Sequence, residues 1–296
     1  MATLYTQQSN NVAKTWMLMS VFFVIVIGLG FVFSRMYGNP NILYFFVIFS
    51  VVMNIASYWY SDKIALSLAK AKPATREQYF DFYTMVENLA ITAGLPMPKI
   101  FVIEDFSPNA FATGRDKNHS VIAVTTGLLS ILNKTELEGV VAHEMSHIGN
   151  KDMLLSTVAV VLVGFVAILS DMMIRMSFFG GNRDEREGNG VFMIIGILVA
   201  ILAPIAATLI QLAISRKREY LADASGALLT RYPEGLASAL SKIAEYGQPM
   251  KVQSNAIAHL YIANPQGSGS FKKKANSLFS THPPIEDRIK KLRGSL

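Results

Sequence analysis

The chain has 296 residues, 51% of them hydrophobic and only 16% charged, with a mean hydropathy of +0.34, where an average soluble domain carries roughly 25% charged residues. That balance excludes an ordinary water-soluble enzyme. The absence of cysteine excludes a disulfide-stapled fold, so any metal site must use histidine and carboxylates. The net charge of +6 sits mainly at the ends of apolar stretches, which suits a membrane surface better than nucleic acid, and no nucleic-acid partner is expected.

Residues 1–14 form a polar N-terminal segment. Thr15 to Ser34 then runs for 20 residues without a charge, and Asn41 to Tyr60 forms a second apolar stretch. Met153 to Ile174 and Val191 to Ile214 are the third and fourth. Each is long enough for a hydrocarbon core of about 30 Å, which takes roughly 20 helical residues. The first exceeds the usual signal-peptide core of about 7–15 residues and no A-x-A-like site follows, so it reads as an uncleaved anchor. Lys14, Lys63, Lys70, Lys72, Arg76, Lys134, Lys151, Arg216, Lys217, Arg218 and Arg231 flank the spans on one side, and Arg35, Arg175, Arg183 and Arg186 on the other. Eleven against four places both termini and both polar segments in the cytoplasm. The expected organisation is two transmembrane helices over 15–60, half of a cytoplasmic domain over 61–152, a hydrophobic hairpin over 153–215, and the second half over 216–296.

Within the first polar piece, Thr75-Arg-Glu-Gln78 reads as a capping box opening a helix that ends near Gly94. Lys99 to Glu104 reads as a strand, Ser107 to Gly114 as a loop, and Ser120 to Thr126 as a second strand. A further capping box at Thr135 to Glu138 opens a helix running to Ile148. In the second piece, helix continues through about Leu229, another covers Glu234 to Tyr246, and a short terminal helix carries Ile285, Ile289 and Leu292. A Gly/Ser-rich tract with Lys272 to Lys274 fills 264–280. The fold class is α+β and mainly helical, with four hydrophobic helices and a small sheet.

The chemistry lies in His143-Glu144-Met145-Ser146-His147. An i, i+4 spacing puts both imidazoles on one helix face, where they can grip a single ion, and Glu144 lies beside the first as general base. A catalytic zinc needs a third protein ligand and an open position. Glu219 supplies the ligand, and Asp223, one turn on, can orient an imidazole. Parity supports the pairing: His147 lies six residues before the third span and Glu219 five after the fourth, so a hairpin brings them together at the membrane boundary. The strand at Ser120 to Thr126 is a candidate dock for an extended peptide substrate, with Asn109, Ala110, Phe111 and Ala112 as candidate groove residues; a purely structural role in the sheet is an equal reading of both segments. His282 and Arg288 are candidate transition-state contacts; a capping histidine and a helix-surface charge are the plainer readings.

H-E-x-x-H after two spans, E-Y-L-A-D after two more, N-A-F-A before them and T-H-P-P near the end resemble the HtpX-type membrane metallopeptidases of bacteria. The resemblance implies a gluzincin with one Zn2+ per chain held by His143, His147 and Glu219, and Glu144 as catalytic acid/base. It also implies relatedness to the CaaX prenyl proteases and a stress-response role in quality control of membrane proteins. The implied partners are protein or peptide substrates, the lipid bilayer and other membrane quality-control proteases. Two other readings stand beside it: a specific processing protease like the CaaX enzymes, and a zinc-stabilised membrane scaffold without turnover. Glu144 argues against the scaffold, because a structural site has no need of a base and is normally closed.

Overall fold

The computed structural model describes residues 4–36, 38–179, 216–251, 257–265 and 283–294. Two apolar helices, α1 (Leu4–Met36) and α2 (Pro40–Trp59), lead into α3 (Ser61–Leu68), β1 (Lys72–Pro73), α4 (Phe80–Ala93), β2 (Lys99–Ile103), β3 (Ala110–Gly114), β4 (Ser120–Thr125) and α5 (Thr126–Ile131). Then come α6 (Lys134–Gly149), α7 (Asp152–Phe179), α8 (Arg216–Thr230), α9 (Pro233–Tyr246) and α10 (Ile285–Arg293). The architecture is mainly helical with a small mixed sheet. The third apolar stretch of the sequence falls on α7; the fourth, and the tract at 266–280, lie outside the described residues.

The polar N-terminal segment is not a separate unit. Helix α1 begins at Leu4 and runs unbroken into the apolar stretch. Gln8–Arg35 and Pro40–Trp59 are both long and apolar enough to cross a membrane. Between them the chain reverses at Asn39, whose side chain accepts from Asn41 N at 3.0 Å, with Pro40 in the first turn where its missing N–H costs nothing. Gly30 allows α1 and α2 to touch, since a Cβ there would meet the Phe46 side chain at 2.4 Å. The other face of α1, through Leu18, Phe22, Val26 and Leu29, packs on Leu155, Val158, Leu162 and Phe165 of α7. Helix α2 leaves Tyr44, Phe45, Ile48, Val52 and Ile55 exposed, as a helix facing lipid would.

The sheet has the order β1-β2-β4-β3. Strands β2 and β4 are parallel, Lys99 opposite Val121 and Ile103 opposite Thr125, and β3 is antiparallel to β4 with Ala110 opposite Val124. The stretch Ser107 to Gly114 is therefore loop only in its first half. Its turn residues mark the entry, while Ala110 to Gly114 are fully enclosed and pair as a strand. This also corrects the expected peptide dock. Strand β4 is hydrogen-bonded on both edges, so an added strand has no place along Ser120 to Thr126; the edge strands are β1 and β3.

Helix α6 lies at the centre of the domain, over Val124, Leu128 and Ile122 and against Leu236 and Leu240 of α9. Its cap is Asn133 and not Thr135. The Asn133 side chain accepts from Glu136 N at 3.0 Å, and the Glu136 carboxylate accepts from Asn133 N at 2.9 Å. Asparagine is the stronger cap of the two, and it occupies the position three before a glutamate just as Thr135 does. Glu136 further accepts from Ser238 and Lys242 of α9, both at 2.7 Å. Two glycines let neighbours reach the α6 backbone: a Cβ on Gly139 would lie 2.6 Å from Leu236 N, and one on Gly226 of α8 2.9 Å from His143 N.

Burial pushes the Glu136 carboxyl up, but its bonds from Lys242, Ser238 and Asn133 outweigh this and hold it below the ordinary 4.5. Its stabilisation is thus present above that value and fades as pH falls through the lower value of the folded protein. Glu136→Ala should cost about 1–3 kcal/mol at neutral pH, combining a lost cap with lost charge-assisted bonds. Thermal unfolding of wild type and variant in detergent should show the gap closing in strongly acidic buffer. A gap independent of pH would contradict the assignment.

Candidate active site

Helix α6 carries the first three groups. His143 and Glu144 are buried and His147 is half-buried. The Nε2 atoms of the two imidazoles lie 3.2 Å apart. The carboxylate of Glu219, in the first turn of α8, approaches both: Oε2 is 3.9 Å from His143 Nε2 and Oε1 3.7 Å from His147 Nε2. Ligand atoms of His143, His147 and Glu219 all lie within 4.8 Å of one another, so these three residues could hold one metal ion.

Each imidazole is held from behind. His143 Nδ1 is 2.9 Å from Asp223 Oδ1, and His147 Nδ1 is 3.2 Å from Asp152 Oδ2. A carboxylate accepts only, so Nδ1 carries the proton in both rings and both Nε2 lone pairs point at the same place. The donor set fits zinc, which takes imidazole nitrogen and carboxylate oxygen. The electrostatics agree. Burial alone would pull the His147 pKa down, but the hydrogen bond to Asp152 and the charges of Glu219, Asp152 and Glu144 carry it up to about 9. The site favours positive charge.

Asp223, anticipated as an orienting group, does reach His143, and Arg288 explains how it is kept charged. Arg288 is fully buried, not on a helix surface, and grips Asp223 through Nε at 2.9 Å and Nη2 at 2.7 Å. Its Nη1 donates to Ile262 O at 3.0 Å. Burial raises the Asp223 pKa, yet Arg288 and His143 overturn that and bring it down to about 2. Glu144 has no such partner. Burial pushes it above its ordinary value; His143, His147 and the Ala112 N–H oppose this, and Glu219 adds to it.

The N-A-F-A segment divides by residue. Ala112 faces Glu144 with its N–H, and the Ala110 carbonyl accepts from Ile262 N at 2.9 Å. Asn109 is a buried fastener: it accepts from Ala263 N at 3.2 Å and donates to Ala263 O at 3.0 Å. Phe111 meets the ring of Tyr261 edge-on at 5.2 Å. His282 lies outside the described residues. Sequence reasoning missed Asp152, whose signal is an acid five residues after the second histidine, just past a Gly-Asn-Lys turn. Lys151 in that turn adopts φ +56°, and α6 and α7 meet at 83°, which swings Asp152 back to His147.

Comparison with known proteins agrees with this geometry. The chain is 46% identical over 298 residues to a Protease HtpX homolog of Thermoanaerobacter pseudethanolicus, covering 98% of this chain and 97% of that one. It is 45% identical over 291 residues to a Protease HtpX homolog of Tropheryma whipplei, covering 98% of each. Among solved structures, S. mikatae Ste24p aligns with a TM-score of 0.51 at 20% identity, over 97% of this chain and 67% of that one, a likeness of fold. Residues 77–296 match Peptidase family M48. A chain with that match and with relatives alike from end to end belongs to peptidase family M48, the metalloproteases to which its HtpX-type motifs point.

Proposed function

We propose that the protein is a zinc-dependent endopeptidase of the bacterial inner membrane that hydrolyses peptide bonds of misfolded or damaged membrane proteins at the cytoplasmic face. The observation that carries the chemistry is the meeting of two imidazole Nε2 atoms and the Glu219 carboxylate with Glu144 on the next residue of the same helix. His143, His147 and Glu219 would hold the ion, and bound zinc supplies a Lewis acid beside the scissile carbonyl. Glu144 accepts a proton on its carboxylate from the attacking water and hands it to the departing amide nitrogen. Burial raises its pKa above the ordinary carboxylate value, which favours a group that must take a proton and then give it up. Asp223 and Asp152 keep the two rings aimed, and Arg288 keeps Asp223 ionised. Strand β3, with the Ala112 N–H already turned to Glu144, borders the side from which an extended substrate approaches.

The basic residues around the apolar stretches support four crossings with both polar halves, 61–152 and 216–296, in the cytoplasm. The packing of α7 against α1 supports the third crossing. A reporter fused after Leu296 should behave as cytoplasmic, and one inserted between Arg183 and Asn189 as periplasmic. Cytoplasmic behaviour of the second would sink the four-crossing arrangement.

Two acids with different roles give the sharpest test. Glu144→Gln keeps shape but loses the base, so zinc content of the detergent-solubilised protein should stay at wild-type level while casein turnover falls about 10²–10⁴-fold. Glu219→Gln should lose zinc and activity together. Retained zinc affinity and activity in Glu219→Gln, or near wild-type turnover in Glu144→Gln, contradicts the assignment. Zinc-dependent cleavage confined to one peptide class, with casein untouched, would favour the specific processing protease.

A further inference from the structure

The polar residues ahead of the first apolar stretch reach into the site. Asn11, on α1, is buried, and its Nδ2 donates to Asp152 Oδ1 at 2.5 Å and to Asn150 O at 3.2 Å. Its Oδ1 accepts from Arg218 Nη1 at 3.4 Å, one residue before Glu219. Gln8, nearly one turn earlier on α1, donates to Gly149 O at 2.8 Å. The whole turn between α6 and α7 is therefore held by the start of the first membrane helix. The other oxygen of Asp152 is the one that faces His147 Nδ1.

We propose that Asn11 is a positioning residue for metal binding: it fixes the Asp152 carboxylate and, through it, the aim of His147 Nε2, so that the first membrane helix is a working part of the site. The inference rests on the reading of His147 as a metal ligand. A carboxylate held at one oxygen only can turn about its own axis and release the imidazole. Asn11 holds the other oxygen with a neutral amide, which orients Asp152 without neutralising the charge that His147 uses. Arg218 also pairs with that oxygen, its Nε lying 3.8 Å from Asp152 Oδ1, but the Asn11 amide makes the closer contact. Both ends of the Asn11 amide are satisfied, as burial in such a place demands.

The test uses the full chain in detergent, with zinc affinity measured by competition against a chromophoric chelator. Asn11→Ala should weaken zinc binding about 10–100-fold, the usual effect of losing an outer partner of a ligand. At saturating zinc, kcat on casein should fall far less than the affinity does. In an Asp152→Ala background, Asn11→Ala should cost nothing further, because the group it acts through is gone. Gln8→Ala cuts the neighbouring tie without touching Asp152 and should bind zinc as wild type does. Asn11→Ser, too short to reach Asp152, serves if the alanine variant fails to fold. Wild-type affinity in Asn11→Ala or Asn11→Ser overturns the inference. So does an equal loss in the Asp152→Ala background, which is what a merely structural tie would give. His147→Ala distinguishes the two levels: retained zinc there sinks the ligand reading, whereas lost zinc there with none lost in Asn11→Ala sinks only the role of Asn11.

Discussion

Two hydrogen bonds set the terms for the rest of the structure: Asp223 to His143 and Asp152 to His147, each at an Nδ1 atom. They fix the tautomer of both rings, and so bring two nitrogen lone pairs within 3.2 Å of each other on one helix turn. Two lone pairs at that separation repel unless a proton or a metal cation lies between them, and imidazoles free to turn would avoid the contact. The carboxylates prevent that escape. They are in turn constrained, Asp223 by the two-pronged grip of Arg288 and Asp152 by Asn11. The site is built outward in layers, each holding the one inside it, as is general for metal ligands.

Delivering these layers requires helices to meet closely. Helix α6 must present His143 to α8 and His147 to the start of α7 at once. Gly226 lets α8 come against the backbone at His143, which sets Glu219 and Asp223, one turn apart on α8, at the two sides of that ring. At its far end, the left-handed residue Lys151 makes the corner. Helix α10 contributes a single guanidinium from beyond both. Three stretches far apart in sequence, around residues 11, 143–152 and 218–223, and the terminal helix with Arg288 thus share one small volume. The order cannot be loosened at one point without disturbing the aim of an imidazole.

How much of this could be read beforehand follows from the kind of signal. The grouping of His143, His147 and Glu219 was legible because the i, i+4 spacing of the two histidines is imposed by helix geometry, and because the acid beyond the next two apolar stretches is expected back beside them. Asp223 was legible for the same reason, one turn from Glu219. Strand β3 was not, since its Ser-Pro-Asn entry is written in turn residues and its small side chains carry no alternating pattern. At the start of α6 both Asn133 and Thr135 stand three before a glutamate, and the reciprocal bonds between Asn133 and Glu136 show which of them caps the helix. Asp152 and Asn11 were hard to read for a different reason. The acid just past the Gly-Asn-Lys turn reaches His147 only through an 83° corner, and Asn11 reaches Asp152 only through the docking of α1, which leaves no local pattern.

Charge offers a last check on the proposed ion, independent of spacing. Around the two imidazoles, the described residues place four carboxylates, Glu144, Asp152, Glu219 and Asp223, and two guanidiniums, Arg218 and Arg288. With every acid ionised and both rings neutral, the cluster carries two uncompensated negative charges. Such an excess in a mostly enclosed site is costly: burial raises the Glu144 pKa and Glu219 adds to it, while the His147 pKa rises against the pull of burial through its bond to Asp152 and the charges of Glu219, Asp152 and Glu144. A divalent cation would cancel it. The same cation would favour the ionised form of Glu144, the form that a general base needs. The arginines are as important to this balance as the ligands. Without Arg288 the excess would be three charges rather than two, and Asp223, which holds His143, would lose the main partner that keeps it ionised. The buried arginine thus serves the proposed metal site from a distance, by keeping the charge of the cluster matched to a dication.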